Sequence, residues 1–297
     1  MNKLHLTIAA ILLGLSALAA GCGSGAVANH LVSTDSEILL GDKTAPEFEQ
    51  MLGGKVADAA VQSYVQAVGQ KLAVAAPRRM PYAFYVVESE VANAFSLPGG
   101  RVYVTAGLLA MLDSERQLAA VLANQIAHVC RRDPVKILFD EMKGQLLVSI
   151  ARLATEDVDQ SGYLVAIQVA KHLVAGRHTR KEEILADQMG MEMMARAGYN
   201  PWGMPELLAM LHNRHRVDPD SVRVMLSCHP LTDKRFKLTK LTAEVDYHWQ
   251  GRGHNPESTI SQADIKHRLS IYRQRRGQRS LDPGLITLQR ERFVEPD

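Results

Sequence analysis

The residues able to do chemistry fall in three short blocks. The first is Asn124-Gln125-Ile126-Ala127-His128. Positions four apart on a helix share a face. Two histidines at that spacing can hold zinc, with a glutamate beside the first as general base. Here His128 alone has the required type, while Asn124 stands at the first ligand position and Gln125 at the base position. A neutral amide oxygen is a poor substitute for imidazole at zinc, and the Gln125 amide cannot usefully accept a proton. Taken alone, one histidine on a buried helix reads as a hydrogen-bonded core residue. The second block, "TRKEEILADQMG" at 179–190, places Glu183 and Asp187 four residues apart. By themselves these are an ordinary solvated carboxylate pair. The third block is "CHPLTDKR" at 228–235, with His229 beside Cys228.

The elements that position these blocks can be read from periodicity. "VADAAVQSYVQAVGQKLAVAA", 56–76, repeats Val56, Ala60, Tyr64, Val68 and Leu72 at steps of four, an apolar helix stripe. "YAFYVVES", 82–89, is β-branched and aromatic and predicts a strand. "AFSLPGGRVYVTAGLL", 94–109, predicts two short extended pieces joined at Pro98-Gly99-Gly100. Residues 114–130 form a helix with Ser114 as N-cap, apolar on more than the Leu118, Leu122, Ile126 and Val129 face and therefore buried. Two apolar helical stretches in 135–175 flank the polar break "TEDVDQSG". A further helix over 180–197 ends at Gly198. Its Met189, Met191, Met193 and Met194 read as core packing rather than metal ligands.

Taken together, the blocks carry a resemblance that none carries alone. "NAFSLPGGRVYVTAGLLAMLDSERQLAAVLANQIAHV", 93–129, resembles the hallmark region of the HtpX-like and CAAX-prenyl-endopeptidase-type zinc metallopeptidases, peptidase family M-forty-eight. Only Asn124-Gln125 breaks the match at its centre. The 179–190 block resembles the family's Ser-Arg-x-x-Glu-x-x-Ala-Asp helix, and 228–235 its His-Pro-x-x-x-x-Arg element. The resemblance implies an α+β, zincin-like (gluzincin) domain over 36–245, mostly helical with a small sheet. It implies zinc at His128, Glu183 and the degenerate position Asn124, with Asp187 as a supporting carboxylate. It places Gln125 where the catalytic glutamate belongs and makes His229 an accessory group able to approach the metal or the reacting carbonyl. His128, Glu183 and His229 form a three-ligand set if the His229 loop closes. Extended polypeptide is expected to add to an edge strand near Arg101–Thr105, at Arg101, Val102 and Tyr103. The implied ancestral reaction is zinc-dependent endopeptidase cleavage of misfolded envelope proteins. Loss of a general base alone costs about 10²–10⁴ in rate, so the chain is expected to bind polypeptide without cutting it. The alternative is an active zinc endopeptidase with an atypical ligand set.

The ends of the chain say where it works. Lys3 precedes an apolar run from Leu4 to Ala20, which reads as a secretory signal. "ALAAGCGSG" resembles a bacterial lipoprotein signal over residues 1–21, with Cys22 lipidated. This predicts a protein held on the periplasmic face of a bacterial membrane by a tether over 22–35. Export implies an oxidising compartment, so Cys130 and Cys228 could pair or remain free. Cys130 lies about 200° round the helix from His128 and should point away from the cleft. Residues 246–297 form a basic extension containing Arg273, Arg275, Arg276 and Arg279, expected as a solvated tail or helix face. A net charge of +2 gives nucleic acid no general support as a partner.

Overall fold

A computed structural model describes residues 31–142, 145, 148–150, 160–247 and 261–276. The expected signal segment and the Cys22 lipidation site lie outside these residues.

The fold is α+β: a three-stranded sheet embedded among helices. Helix α1 (Thr34–Met51) and helix α2 (Ala59–Ala73) come first, capped by Ser33 and Asp58 side chains. Strands β1 (Ala83–Val87), β2 (Ala94–Ser96) and β3 (Arg101–Thr105) follow. The short helix α3 (Ala106–Met111) leads into α4 (Glu115–Cys130), whose N-cap is Ser114 as expected. Then come α5 (Asp133–Met142), α6 (Gln160–Ala175), α7 (Arg180–Arg196), α8 (Gly203–Val217), α9 (Pro219–Cys228), α10 (Asp233–Val245) and α11 (Gln262–Arg276).

Strand alternation divides the core in two. Phe84, Val86, Ala94, Val102 and Val104 point to the layer containing α2, α4, α7 and α8. Val87, Phe95 and Tyr103 point to the layer containing α1, α5 and α6. The sheet is therefore covered on both faces, and α4 is buried from Gln117 to Val129. That explains why its sequence lacks a polar face. Met191, Met193 and Met194 on α7 are fully buried against it, as core packing requires.

Three expectations are corrected. Strand order is β1-β3-β2, with β1 parallel and β2 antiparallel to β3. Arg101–Thr105 is thus the central strand; both sides of its ladder are taken, and Arg101, Val102 and Tyr103 cannot receive an added peptide strand. Order across a sheet is a long-range property that local periodicity does not encode. The free edge belongs to β2. Secondly, the expected tether over 22–35 stops short of its predicted end: Val32 is buried and its carbonyl accepts from Arg132. Thirdly, the basic extension is not wholly solvated. Ile265 and Leu269 of α11 are fully buried, and Gln262 Nε2 donates to the carbonyls of Leu109 and Leu112. The side chains of Arg273, Arg275 and Arg276, and the whole of Arg279, lie outside the description.

The turn at Pro98–Gly100 packs directly on α1. A Cβ at Gly41 would lie 2.0 Å from the Pro98 carbonyl oxygen. Gly41→Ala is therefore expected to lower unfolding free energy by about 1–3 kcal/mol, measured by urea denaturation. An unchanged midpoint would contradict this close approach.

Candidate metal centre

Helices α4 and α7 meet at the centre of the molecule and carry the first two blocks. The third enters from the α9–α10 junction, where His229 caps α9. Helix α7 begins with a capping box: Thr179 accepts from Glu182 N, and the Glu182 side chain accepts from Thr179 N. This fixes the first turn and directs Glu183, one residue on, into the interior, where it is completely buried.

Sequence reasoning placed His128, Glu183 and His229 together, and the fold does the same. His128 Nε2 lies 3.2 Å from Glu183 Oε1, and His229 Nδ1 lies 2.9 Å from the same oxygen. Asp187 sits one turn further along α7. Arg235 from α10 faces both carboxylates: its Nε and Nη2 donate to Asp187 at 2.7 and 2.8 Å, and its Nη1 is 2.8 Å from Glu183 Oε2. Burial opposes ionisation of Glu183, but Arg235 and His229 outweigh it and hold the carboxyl well below its usual range. Burial also opposes charge on His128, yet Asp133 and Glu183 prevail and raise it to about 9.

Asn124 and Gln125 border this cluster but are tied to each other and to Asp187. Gln125 Nε2 donates to Asn124 Oδ1 at 3.2 Å. Asn124 Nδ2 in turn donates to Asp187 Oδ1 at 3.0 Å. The one atom of Asn124 that could bind a metal is thus occupied by its neighbour, and the chain of amides ends on the Arg235–Asp187 pair. Gln125 Nε2 is also 3.5 Å from His229 Nε2.

Two residues that the sequence reading missed complete the cluster. Asp133 Oδ2 is 2.8 Å from His128 Nδ1, orienting the ring in the manner common around metal-bound histidines. His178 stacks on His128, with ring centroids 3.7 Å apart and planes 15° apart. Its backbone N–H donates to the Cys228 carbonyl, tying the start of α7 to the residue before His229. Burial and the neighbouring His128 and His229 push His178 well below its ordinary range. The available signal was positional: His178 immediately precedes the cap of the Glu183 helix, and Asp133 starts the helix after His128.

These residues admit a direct test of fit for zinc. The ancestral trio fails it, because the Asn124 oxygen accepts from Gln125 and a neutral amide is a poor zinc ligand. A displaced set passes it. His128, His178, Glu183 and His229 offer donor atoms all within 4.8 Å of one another. His178 Nδ1 is buried without a hydrogen-bond partner, which is costly unless something else satisfies it, while His128 Nε2 meets the Glu183 carboxylate at 3.2 Å and Glu183 Oε2 meets Arg235.

The space beside Glu183 and His229 is narrow. The cavity bounded by Asn124, Gln125, Glu183 and His229 measures about 10 Å³, no more than one water. The β2 edge is occupied too. The Ala94 amide donates to Asn93 Oδ1, and the Ala94 carbonyl lies 3.3 Å from His229 Nε2. Cys130 is turned away toward the Tyr82 hydroxyl, as expected from its helix position, and both Cys130 and Cys228 are free thiols. Burial pushes the Cys228 thiol up to about 11.

With this geometry in hand, similarity to known proteins becomes interpretable. The model for "Peptidase family M48" matches residues 59–242, which span the sheet and the helices carrying His128, Glu183 and His229. The chain belongs to peptidase family M48. Among M48 relatives, the beta-barrel assembly-enhancing protease of Yersinia pestis is 27% identical over 223 residues, covering 71% of this chain and 45% of that protein. The protein of the same name from Escherichia coli strain K12 is 25% identical over 221 residues, covering 71% and 45%. The mitochondrial metalloendopeptidase OMA1 of Schizosaccharomyces pombe is 35% identical over 176 residues, covering 59% and 50%. The chain spans about half the length of the curated relatives it matches. Among the described residues, no helix is long and apolar enough to cross a membrane.

Removing Arg235 would leave two buried carboxylates without their cation. Arg235→Leu is expected to cost about 3–5 kcal/mol of stability, read from urea unfolding. A loss below about 1 kcal/mol would mean the pairing is not needed to hold the cluster.

Proposed function

We propose that this protein is a non-cleaving member of its peptidase family that binds unfolded polypeptide in envelope protein quality control. The observation that carries the reading is the relay from Gln125 through Asn124 to Asp187. It uses the first-ligand and general-base positions as structure. The two carboxylates of α7 are not free to replace the base: Glu183 and Asp187 are both engaged by Arg235. The family's hydrolysis needs zinc to polarise the peptide carbonyl and acidify water, and a base beside it to take the proton. Here the chain supplies His128 and Glu183 for the metal but nothing for the proton. The cavity beside Glu183 and His229, about 10 Å³, is smaller than a peptide group as it stands.

The cellular setting is inferred from two sources. Two of the relatives are named beta-barrel assembly-enhancing proteases. The N-terminal pattern ending at Cys22 supports export and a lipid anchor on the periplasmic side. Binding is assigned to a groove of about 590 Å³ beside the closed cluster, bounded by Leu208, Leu226, Leu231 and Phe236, with Arg180 and His215 at its rim. Its wall includes Pro230–Thr232, the residues that directly follow His229. The apolar lining suits the side chains of an unfolded segment, the substrate class of a protease family.

The test uses an unfolded protein such as β-casein. Fluorescence anisotropy should register binding, and Phe236→Asp should weaken it by at least about tenfold, or roughly 1.4 kcal/mol. Mass spectrometry should find no cleavage with or without EDTA. Cleavage that EDTA abolishes would overturn this reading and restore an active endopeptidase with atypical ligands.

A further inference from the structure

We propose that this protein holds a transition-metal ion, zinc in the first instance, in a displaced and closed site made by His128, His178, Glu183 and His229. The proposal rests on reading the chain as a non-cleaving family member. It adds what occupies the emptied position and what the occupant does: it pins the His229 segment shut rather than activating water.

Several independent observations converge on it. The four donors come from separate parts of the chain: the end of α4, the residue before the α7 cap, the first turn of α7 and the end of α9. Their ligand atoms nevertheless lie within 4.8 Å of one another. His178 Nδ1 is shielded from solvent and has no hydrogen-bond partner, and His128 Nε2 is shielded with the Glu183 carboxylate 3.2 Å away. A bare imidazole nitrogen in the interior is unfavourable, and two imidazole nitrogens beside one carboxylate are donors a zinc site uses. The supports are also present. Asp133 fixes His128 through Nδ1, leaving Nε2 to face Glu183. The His178 N–H to Cys228 O bond holds His178 beside His229.

His178 is the decisive member. It lies outside the helix that carries Asn124 and His128, so it restores a second nitrogen near His128 without restoring the lost helix position. The two rings now lie face to face, and they must tilt apart for both nitrogens to reach one ion. The number of donors sets the role. Sites with four protein ligands are structural, while catalytic zinc keeps a position for water. A fourth donor from His229 fills that position, and His229 also contacts the Ala94 carbonyl on the β2 edge. Bound metal would therefore lock the edge and the cluster together.

The experiment uses the full chain, solubilised in detergent and purified without chelator or polyhistidine tag. Wild type should bind about one zinc per chain, measured by isothermal titration and elemental analysis, and its thermal midpoint should rise with zinc. Cobalt(II) should give the intense visible absorption of a tetrahedral site. His178→Ala should weaken binding by more than about 100-fold and abolish the zinc-dependent rise. Asn124→Ala should leave affinity within a few-fold of wild type, since Asn124 is not a ligand. His178→Cys provides a readout that survives a change in stability: a thiolate-to-cobalt charge-transfer band in the near ultraviolet. The proposal is overturned if wild type binds no metal, if His178→Ala binds as wild type does, if Asn124→Ala is the variant that loses metal, or if His178→Cys shows no such band. None of those results touches the absence of cleavage, which is read separately from the casein assay.

Discussion

Everything at the centre of this molecule depends on one guanidinium. Arg235 lies almost wholly buried between Glu183 and Asp187, two carboxylates one turn apart on α7 that are themselves sealed from water. Buried charges persist only when paired and hydrogen-bonded. The planar fork of arginine suits such a pairing better than lysine could. Through Asp187 it anchors Asn124, and through Glu183 it orders His128 and His229. Helices α4, α7 and α10 are joined there by electrostatics as well as by packing.

This arrangement accommodates an asparagine and a glutamine at 124 and 125 in a metallopeptidase fold without leaving their amides unpaired. Asparagine and glutamine are uncharged, and each offers both a donor and an acceptor. At 124 and 125 they join into a relay that ends on an already neutralised carboxylate. A histidine and a glutamate in the same places would bring a charge needing a metal or a substrate to balance it. The paired amides leave the Asn124 oxygen and the Asp187 carboxylate hydrogen-bonded in the interior.

Much of this was legible in the sequence. Ser114, the Pro98-Gly99-Gly100 turn and Gly198 are local signals, and the elements they bound are where periodicity put them. Glu183 and His229 were recovered because their blocks recur in order along the chain. What escaped was long-range. No local pattern distinguishes His178, which precedes a helix cap and acquires meaning only when α7 docks on α4. Asp133 is equally silent until the chain turns after Cys130. The misplaced edge strand has the same origin: β3 has the alternation of any half-buried strand, and only the assembled order β1-β3-β2 shows that it lies in the middle. The final helix looked solvated because its buried positions, Ile265 and Leu269, are few among many charges.

The covered Ala94 carbonyl has a consequence of another kind. An uncapped strand edge is a template, and the polypeptides most ready to extend it are unfolded ones. On this edge the two Ala94 groups are already taken from within the molecule, the N–H by the Asn93 side chain and the carbonyl by the His229 ring. A strand added at that point would have to displace both, so the ring that caps α9 also blunts the edge beside it.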